Sequence, residues 1–246
     1  MRMLGSRTRV THQEWEDLAH FDPFFAILSE NEKKFGKWDP QEFFSRGQSE
    51  IDTLMASCGL VRGNNGRVLD FGCGVGRLSR ALGCYFGEVY GVDISEEMIR
   101  MARQYAASCT FLVNQNDDLK LFQSDFFDFI YCNIVLQHQR TQTIAKSYIR
   151  EFVRVLKPRG TVVFQMPYKL TFRGALQIRR RLYSLLKSLG FSGGFLYKKC
   201  NLTPMRGISL ASAEVRATVL AAGGRLVRSY HDDFNYYSMG YVVTKM

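Results

Sequence analysis

The chain has 246 residues, 46% of them hydrophobic and 23% charged, and its formal net charge is +10 at pH 7; this length suits one α/β domain with a substantial core and argues against a second full domain. The basic charge is compatible with nucleic acid, an anionic lipid surface, an acidic substrate or simply a solvated surface. No apolar run reaches the length of a membrane span, and residues 1–7 lack the apolar core of a signal peptide, so we expect a cytoplasmic protein. The six cysteines show neither a C-x-x-C pair nor the spacing of a zinc site. We therefore expect reduced thiols and no metal site.

Residues 11–47 are polar but rich in aromatic side chains, and the pairs Asp22-Pro23 and Asp39-Pro40 mark turns or helix starts. We expect residues 1–47 to form a helical N-terminal cap whose aromatic side chains pack on the domain of residues 48–246. Residues 48–60 then show the i, i+3, i+4, i+7 apolar spacing of a helix, which Gly59 would end.

A buried strand is predicted over residues 67–71, and it leads into the glycine-rich turn of residues 72–76 and a helix. Glycine lets a ligand approach the backbone, because a Cβ would collide with it. Asp70 stands just before the glycines, where the pyrophosphate of a dinucleotide would meet an extra negative charge, and the G-x-G-x-G spacing differs from the G-x-G-x-x-G of dinucleotide-binding turns. S-adenosylmethionine, which carries an ammonium and a sulfonium, suits this turn better.

A second acid, Asp93, follows the strand predicted over residues 88–92, and Ser95 is placed to cap a helix over residues 96–107. An acid at the end of the second strand is positioned to accept hydrogen bonds from both ribose hydroxyls of a nucleoside. Taken alone, either motif is equally consistent with a tight turn or a helix cap. Their occurrence in this order favours nucleoside binding.

Strands and helices continue to alternate, which predicts a parallel sheet covered on both faces. Further strands are predicted over residues 109–113, 127–133 and 161–166, and helices over residues 78–86 and 142–156. The last third departs from this pattern. An apolar stripe at helical spacing spans residues 176–189, opposite several arginines, and is followed by a helix over residues 212–222 and strands over residues 225–230 and 236–244.

Four blocks of sequence carry a resemblance to a known family: VLDFGCGVG at 68–76, GVDIS at 91–95, FDFIYCN with VLQH at 127–138, and VLKPRG at 155–160. Over residues 40–246 the chain resembles the class I S-adenosylmethionine-dependent methyltransferases, close to the type 11 group that methylates small molecules. The resemblance implies a Rossmann-like α/β fold with a seven-stranded, mostly parallel sheet and an antiparallel last strand. It also implies an N-terminal cap that covers the cofactor. The basic stretch at about residues 170–205, with its helical spacing, is then an insertion after the fifth strand.

The resemblance and the strand ends together indicate which residues would hold S-adenosylmethionine, or its product S-adenosylhomocysteine. The expected cofactor residues are Asp70, Gly72, Cys73, Gly74, Gly76, Arg77, Leu78, Asp93, Ile94, Met98, Asn116, Asp117, Cys132 and Asn133. Asn116 or Asp117 is expected against the adenine amino group, although an ordinary polar loop explains residues 114–118 equally well. The backbone of Cys132 and Asn133 is expected to border the reactive methyl group.

Methyl transfer is an in-line displacement with a good leaving group, so the protein mainly positions the nucleophile, and a base helps a hydroxyl more than an amine. Three residues are candidates for that base or its support. His138 follows the fourth strand, where relatives often carry a histidine that sometimes serves structure alone. His231 is followed by Asp232, which would orient and charge it, or would merely form a turn.

The leading hypothesis is methyl transfer to a small molecule, first to an oxygen of a sugar or of another secondary-metabolite or cell-surface precursor. Nucleic acid, RNA above all, is the alternative that the basic stretch suggests, but strand four lacks the Asn/Asp-Pro-Pro-aromatic motif that amino-methylating enzymes of bases often use. The cofactor turn and Asp93 argue against a non-catalytic binding protein. Arg179–Arg181 are consistent with an anionic acceptor, with peripheral contact to a membrane that holds a lipid-linked substrate, or with solvent alone. The oligomeric state stays open.

Overall fold

Seven strands are present in the part of the chain that the computed structural model describes, residues 6–231 and 237–246. They are β1 (Asn64–Phe71), β2 (Phe86–Asp93), β3 (Thr110–Val113), β4 (Phe127–Cys132), β5 (Leu156–Pro167), β6 (Gly224–His231) and β7 (Ser238–Lys245). They form one sheet in the order β3-β2-β1-β4-β5-β7-β6. The pairs β2–β3, β1–β4 and β4–β5 are parallel, whereas β7 is antiparallel to β5 and β6. The predicted fold class, with an antiparallel last strand, is confirmed.

The helices are α1 (Ser6–Phe21), α2 (Pro23–Ile27), α3 (Pro40–Ser57), α4 (Arg77–Leu82), α5 (Glu96–Tyr105), α6 (Gln142–Val155), α7 (Phe172–Leu176), α8 (Ile178–Ser188), α9 (Gly193–Lys198) and α10 (Ser212–Ala221). Short 3-10 turns occur at Asn31–Lys33 and Leu136–His138. Within the described ranges, no helix combines the length and the apolar character that crossing a bilayer requires.

The chain divides into two compact units: Met1–Asn65, Cys73–Gln115 and Ile178–Met205 form the first, and Gly66–Gly72, Asn116–Gln177 and Arg206–Met246 form the second. Each unit has a packed core. In the first, the aromatic side chains of the N-terminal helices are buried together; Phe24 stacks on Phe43 with 4.4 Å between ring centroids. In the second, the Phe71 ring packs against Tyr148 and Phe152.

Local caps explain where several helices begin. The Asp39 carboxylate accepts a hydrogen bond from the N–H of Glu42 at 2.8 Å, and Pro40 occupies the first turn, so α3 starts eight residues before the helix predicted from residue 48. Gly59 follows the end of this helix with φ +68°, as its position predicted. The Ser95 hydroxyl accepts from the N–H of Met98 at 3.1 Å and caps α5, which confirms that prediction.

The helix predicted over residues 78–86 is shorter in the structure, because α4 ends at Leu82. There the N–H groups of Cys84 and Tyr85 donate to the carbonyls of Ala81 and Leu82 at 3.0 and 2.9 Å, and Phe86 begins β2. The run of residues 81–86 is apolar throughout, and a short apolar run fits a helix and a buried strand alike. Periodicity therefore could not locate this boundary.

The helix predicted over residues 176–189 is interrupted at Gln177, whose φ of +47° separates α7 from α8. Gly193 and Gly194 begin α9, where the Ser192 hydroxyl accepts from the N–H of Phe195 at 3.2 Å. A good N-cap thus overrides the low helix propensity of glycine at this position.

Candidate functional site

The glycine-rich turn of the first unit, residues 73–76, is constrained by its own packing. Gly74 has φ +52°, and a Cβ there would lie 2.5 Å from Cδ1 of Ile27 on α2. Gly76 occupies the N-cap position of α4, and its N–H donates to the Cys73 carbonyl at 2.9 Å. In this structure the left-handed backbone and the contact with Ile27 are sufficient to require glycine at position 74. The sequence analysis explained the glycines of this turn by the close approach of a ligand to the backbone.

Asp93 links the end of β2 to this turn. Its Oδ2 accepts a hydrogen bond from the N–H of Gly74 at 3.0 Å, and its Oδ1 accepts from the N–H of Ser95 at 2.9 Å. Burial raises the pKa of the Asp93 carboxyl, the backbone N–H groups oppose that rise, and the negative charge of Glu16 adds to it. The carboxylate keeps capacity for a further donor beside the N–H groups of Ser95, Gly74 and Ile94, since a carboxylate offers about four acceptor positions.

Glu16, on α1, is a residue that sequence reasoning missed. Its Oε1 accepts from the N–H of Glu97 at 3.0 Å. Its Oε2 is buried and receives no hydrogen bond from the described residues, and it lies 4.0 Å from His12 Nε2. Because Glu16 is close enough to raise the pKa of Asp93, the first unit presents two neighbouring carboxylates with unfilled acceptor capacity. Such a pair suits a cationic or hydroxyl-donating ligand and repels a phosphate.

The other cofactor candidates of the first unit are mostly enclosed. Buried apolar side chains are found at Cys73, Leu78 and Met98, and Ile94 is half-buried. The Arg77 guanidinium is also buried, and it donates to the carboxylate of Glu50 on α3 at 2.8 Å. Arg77 therefore holds the start of α4 against α3, whatever else its backbone contacts.

The polar loop after β3 contributes to both units. In the first, the N–H of Asn114 donates to the Asp93 carbonyl at 2.8 Å and its side chain is buried. In the second, the Asn116 carbonyl accepts from the Tyr148 hydroxyl at 2.6 Å, and Asp117 forms an ion pair with Arg140. The sequence pointed to Asn116 or Asp117, yet Asn114 is the loop residue directly hydrogen-bonded to the backbone of Asp93.

In the second unit, Asp70 is buried at the end of β1 and Cys132 at the end of β4, while Asn133 is half-buried. Burial raises the pKa of the Cys132 thiol well above its usual value, the N–H of Leu136 opposes that rise, and the Asp70 charge adds to it. Cys132 is therefore an uncharged thiol at neutral pH. We assign it no nucleophilic role, because the thiolate is the reactive form.

The backbone beyond β4 is strained at Ile134, a β-branched residue with φ +59°. Its N–H donates to Gln165 Oε1 at 3.2 Å, and the amide of Gln165 donates to the Ser238 hydroxyl at 2.5 Å. This hydrogen-bonded chain holds the segment after Asn133 in an unfavourable conformation. Strain of this kind concentrates at functional sites.

His138 closes the short turn after this segment. Its Nδ1 lies 2.6 Å from the Arg206 carbonyl, and its Nε2 lies 3.2 Å from the Gln137 amide nitrogen. A carbonyl only accepts, so Nδ1 carries the proton and Nε2 is the basic nitrogen of the neutral ring. Burial lowers the pKa of His138, as does the nearby Arg206 charge, while the hydrogen bond to the Arg206 carbonyl opposes them. The ring is therefore neutral at pH 7.

His231 lies exposed at the end of β6, with its ring centroid 6.2 Å from that of Tyr168. Asp232, its predicted partner, lies outside the described residues. Across residues 6–231 and 237–246, no cluster of three or more His, Cys, Asp or Glu side chains is arranged to hold a metal ion.

Comparison with known proteins shows what this architecture is similar to. Residues 69–164 match the profile of a methyltransferase domain family. Putative methyltransferase YqeM of Bacillus subtilis is 33% identical over 104 residues, 41% of this chain and 42% of that protein. Ubiquinone biosynthesis O-methyltransferase of Bordetella avium is 27% identical over 156 residues, 60% of either chain. The chain thus matches between about two fifths and three fifths of the length of these relatives.

Among solved structures, the magnesium protoporphyrin IX methyltransferase of Synechocystis PCC 6803 with bound S-adenosylhomocysteine aligns with a TM-score of 0.62 at 21% identity, covering 97% of this chain and 99% of that one. The PH0226 protein of Pyrococcus horikoshii aligns with a TM-score of 0.59 at 25% identity, covering 85% and 93%. At 21% identity, the likeness to the Synechocystis structure concerns the fold alone.

Proposed function

We propose that this chain, whose residues 69–164 form a type 11 domain of the class I methyltransferases, transfers the methyl group of S-adenosylmethionine to a small molecule. The observation that carries the proposal is the carboxylate pair of Asp93 and Glu16 beside the glycine-rich turn. Two negative charges favour a cationic nucleoside, and Asp70, just before the turn, disfavours the pyrophosphate of a dinucleotide.

Within the first unit, Asp93 would accept hydrogen bonds from the ribose hydroxyls, with Glu16 close by. The chain segment from Asp70 to Gly76 would hold the methionine part, where a buried carboxylate provides a partner for the ammonium group. The cofactor residues predicted from the sequence remain our assignment, and we add Glu16 and Asn114 to them. When bound, S-adenosylmethionine supplies an electrophilic methyl group on a sulfonium leaving group.

An oxygen acceptor, such as a sugar or secondary-metabolite hydroxyl, is the finer proposal. A hydroxyl must lose a proton, and His138 has the required form: a neutral ring whose Nε2 is basic and whose Nδ1–H is held by the Arg206 carbonyl. The likeness to ubiquinone biosynthesis O-methyltransferase supports an oxygen acceptor. We make no assignment for His231, because Asp232 lies outside the described residues.

Calorimetry tests the cofactor directly. We expect S-adenosylmethionine and S-adenosylhomocysteine to bind with dissociation constants in the micromolar range, as substrates of metabolic enzymes often do. We expect NAD not to bind, because its pyrophosphate would meet the negative charge of Asp70 just before the glycine-rich turn. Tight binding of NAD, or no binding of S-adenosylhomocysteine by the folded protein, would overturn the proposed function.

Replacing His138 by glutamine is expected to lower kcat by about 10²–10⁴, the usual contribution of a general base, with little change in cofactor affinity. Turnover of a hydroxyl acceptor by the wild type should fall on acidification only below the ordinary histidine range near pH 6.5, because burial lowers the pKa of His138. Turnover and cofactor binding would be measured with one acceptor found by screening small hydroxylated compounds.

Gln137→Leu provides the matched control, since it removes the donor to Nε2 and leaves the imidazole in place. Equal turnover of wild type and His138→Gln, with the acceptor identified, would show that His138 serves structure alone.

A further inference from the structure

Helix α8 presents its apolar side to solvent. Four side chains along one stripe, Ile178, Leu182, Leu185 and Leu189, have exposed fractions of 62%, 43%, 57% and 67%. Their spacing of four, three and four residues puts them on one helix face. A surface helix normally buries such a stripe, so this arrangement is the reverse of the usual one.

The side of α8 that faces the protein carries two ion pairs and a buried ring. Tyr183 is buried with 2% exposure, Arg180 pairs with Glu14 at 3.1 Å, and Lys187 pairs with Asp17 of α1. The sequence left open whether the arginines contact solvent, an acceptor or a membrane, and in the structure the guanidinium of Arg180 is engaged by α1. These two ion pairs and the buried ring set the rotation of α8 about its axis. The stripe is therefore exposed because these contacts fix the orientation of α8, and not because the helix is loosely packed.

The exposed apolar surface continues beyond the helix. Phe191 and Phe195 are each 46% exposed, and their rings stack with 5.9 Å between centroids. On the other side of α9, Leu196 is buried in a cluster with Tyr183 and Leu202. Residues 178–195 thus form one ordered apolar patch, here called the α8 patch, of the kind that marks an interaction surface.

The stretch of sequence that contains the α8 patch carries charges of one sign. Residues 152–213 contain twelve Lys or Arg and no Asp or Glu, whereas the rest of the chain has 21 basic and 23 acidic residues. The entire positive net charge of the protein therefore comes from this stretch. Within the first unit, four exposed cations border the α8 patch: Arg179, Arg181, Lys198 and Lys199.

We propose that the α8 patch docks the protein on an anionic lipid bilayer. A helix lying in the plane of the interface inserts apolar side chains below the headgroups and places cations at the phosphates, which is the combination found here. With 11 residues, α8 is about 16 Å long at 1.5 Å per residue and lies along the surface instead of crossing it. The inference does not depend on the proposed catalytic activity.

Charge favours a bilayer over a second copy of the chain. In a symmetric dimer through the α8 patch, the same surface meets itself. The bordering cations of both copies would then be brought together, and residues 178–205, the segment of the first unit that contains the α8 patch, supply no acid to neutralise them. Like charges in contact oppose association, whereas anionic lipid neutralises all of them.

Co-sedimentation of the full-length protein with vesicles tests the proposal. We expect binding to vesicles of phosphatidylcholine with phosphatidylglycerol, and binding at least about tenfold weaker to phosphatidylcholine alone or at high salt, where exposed charges are screened. Leu182→Ser combined with Leu185→Ser should abolish binding. Leu220→Ser is the control, since Leu220 is 68% exposed but lies on α10 in the second unit. Circular dichroism would verify that each variant is folded.

Three results would overturn the proposal. The first is no binding of the folded wild type to either vesicle. The second is equal loss of binding in Leu220→Ser and the double variant. The third is a wild-type dimer in light scattering that becomes a monomer in the double variant without any vesicle binding, which would make the α8 patch an interface between copies.

Discussion

The Gly72→Ala variant is expected to lose about 2–5 kcal/mol of unfolding free energy, measured by urea denaturation. A left-handed conformation costs a residue with a Cβ about 1–2 kcal/mol, and Gly72 has φ +75°. Overpacking adds about 1–3 kcal/mol, because a Cβ at this position would clash with Val135 Cγ2 and lie 2.7 Å from Cγ1. The turn after β1 has no open space on that side.

Gly59→Ala separates the two contributions. Gly59 has φ +68°, but a Cβ there meets nothing within 4 Å, so only the backbone cost should appear. In a double-mutant cycle, Val135→Ala should offset part of the Gly72→Ala loss, with a coupling of about 1 kcal/mol or more. Equal losses in Gly72→Ala and Gly59→Ala would show that the contact with Val135 does not constrain the turn.

Asp93→Ala is expected to weaken binding of S-adenosylhomocysteine by about 1.5–3 kcal/mol, a factor of roughly 10 to 150, because it removes charged hydrogen-bond acceptors. Burial raises the pKa of this carboxyl. As the pH falls, the charged acceptor is therefore lost at a higher pH than in an ordinary aspartate. Affinity of the wild type should thus decline on acidification sooner than an ordinary aspartate would predict.

Ser95→Ala is the matched control for Asp93→Ala. It removes the cap of α5, where the hydroxyl accepts from Met98, and should lower stability by about 1 kcal/mol. The Asp93 carboxylate stays in place, so the affinity should not change. Glu16→Gln tests the carboxylate pair and should weaken binding less than Asp93→Ala does. Unchanged affinity in Asp93→Ala would remove the main support for the cofactor assignment.

Structural features that depend on residues close together in the chain could be predicted from the sequence. Hydrophobic runs separated by helical segments indicated a parallel sheet. Only the family resemblance implied seven strands with an antiparallel last strand, and these are observed. Ser95 was predicted to cap α5 because an N-cap bond joins residues three apart in the chain. The glycine turn and Asp93 were recognised for the same reason, since their spacing is a local property of two consecutive strand ends.

What the sequence by itself determined, then, is the fold class, the local caps and the glycine-rich turn after the first strand. The tertiary structure decided the contacts between segments distant in the chain. Glu16 and Asp93 are neighbours only because α1 packs beside the end of β2. The orientation of α8 likewise depends on Glu14 and Asp17 of α1. Periodicity defines two faces of an amphipathic helix, but which face is buried depends on the partners that the folded chain places against it.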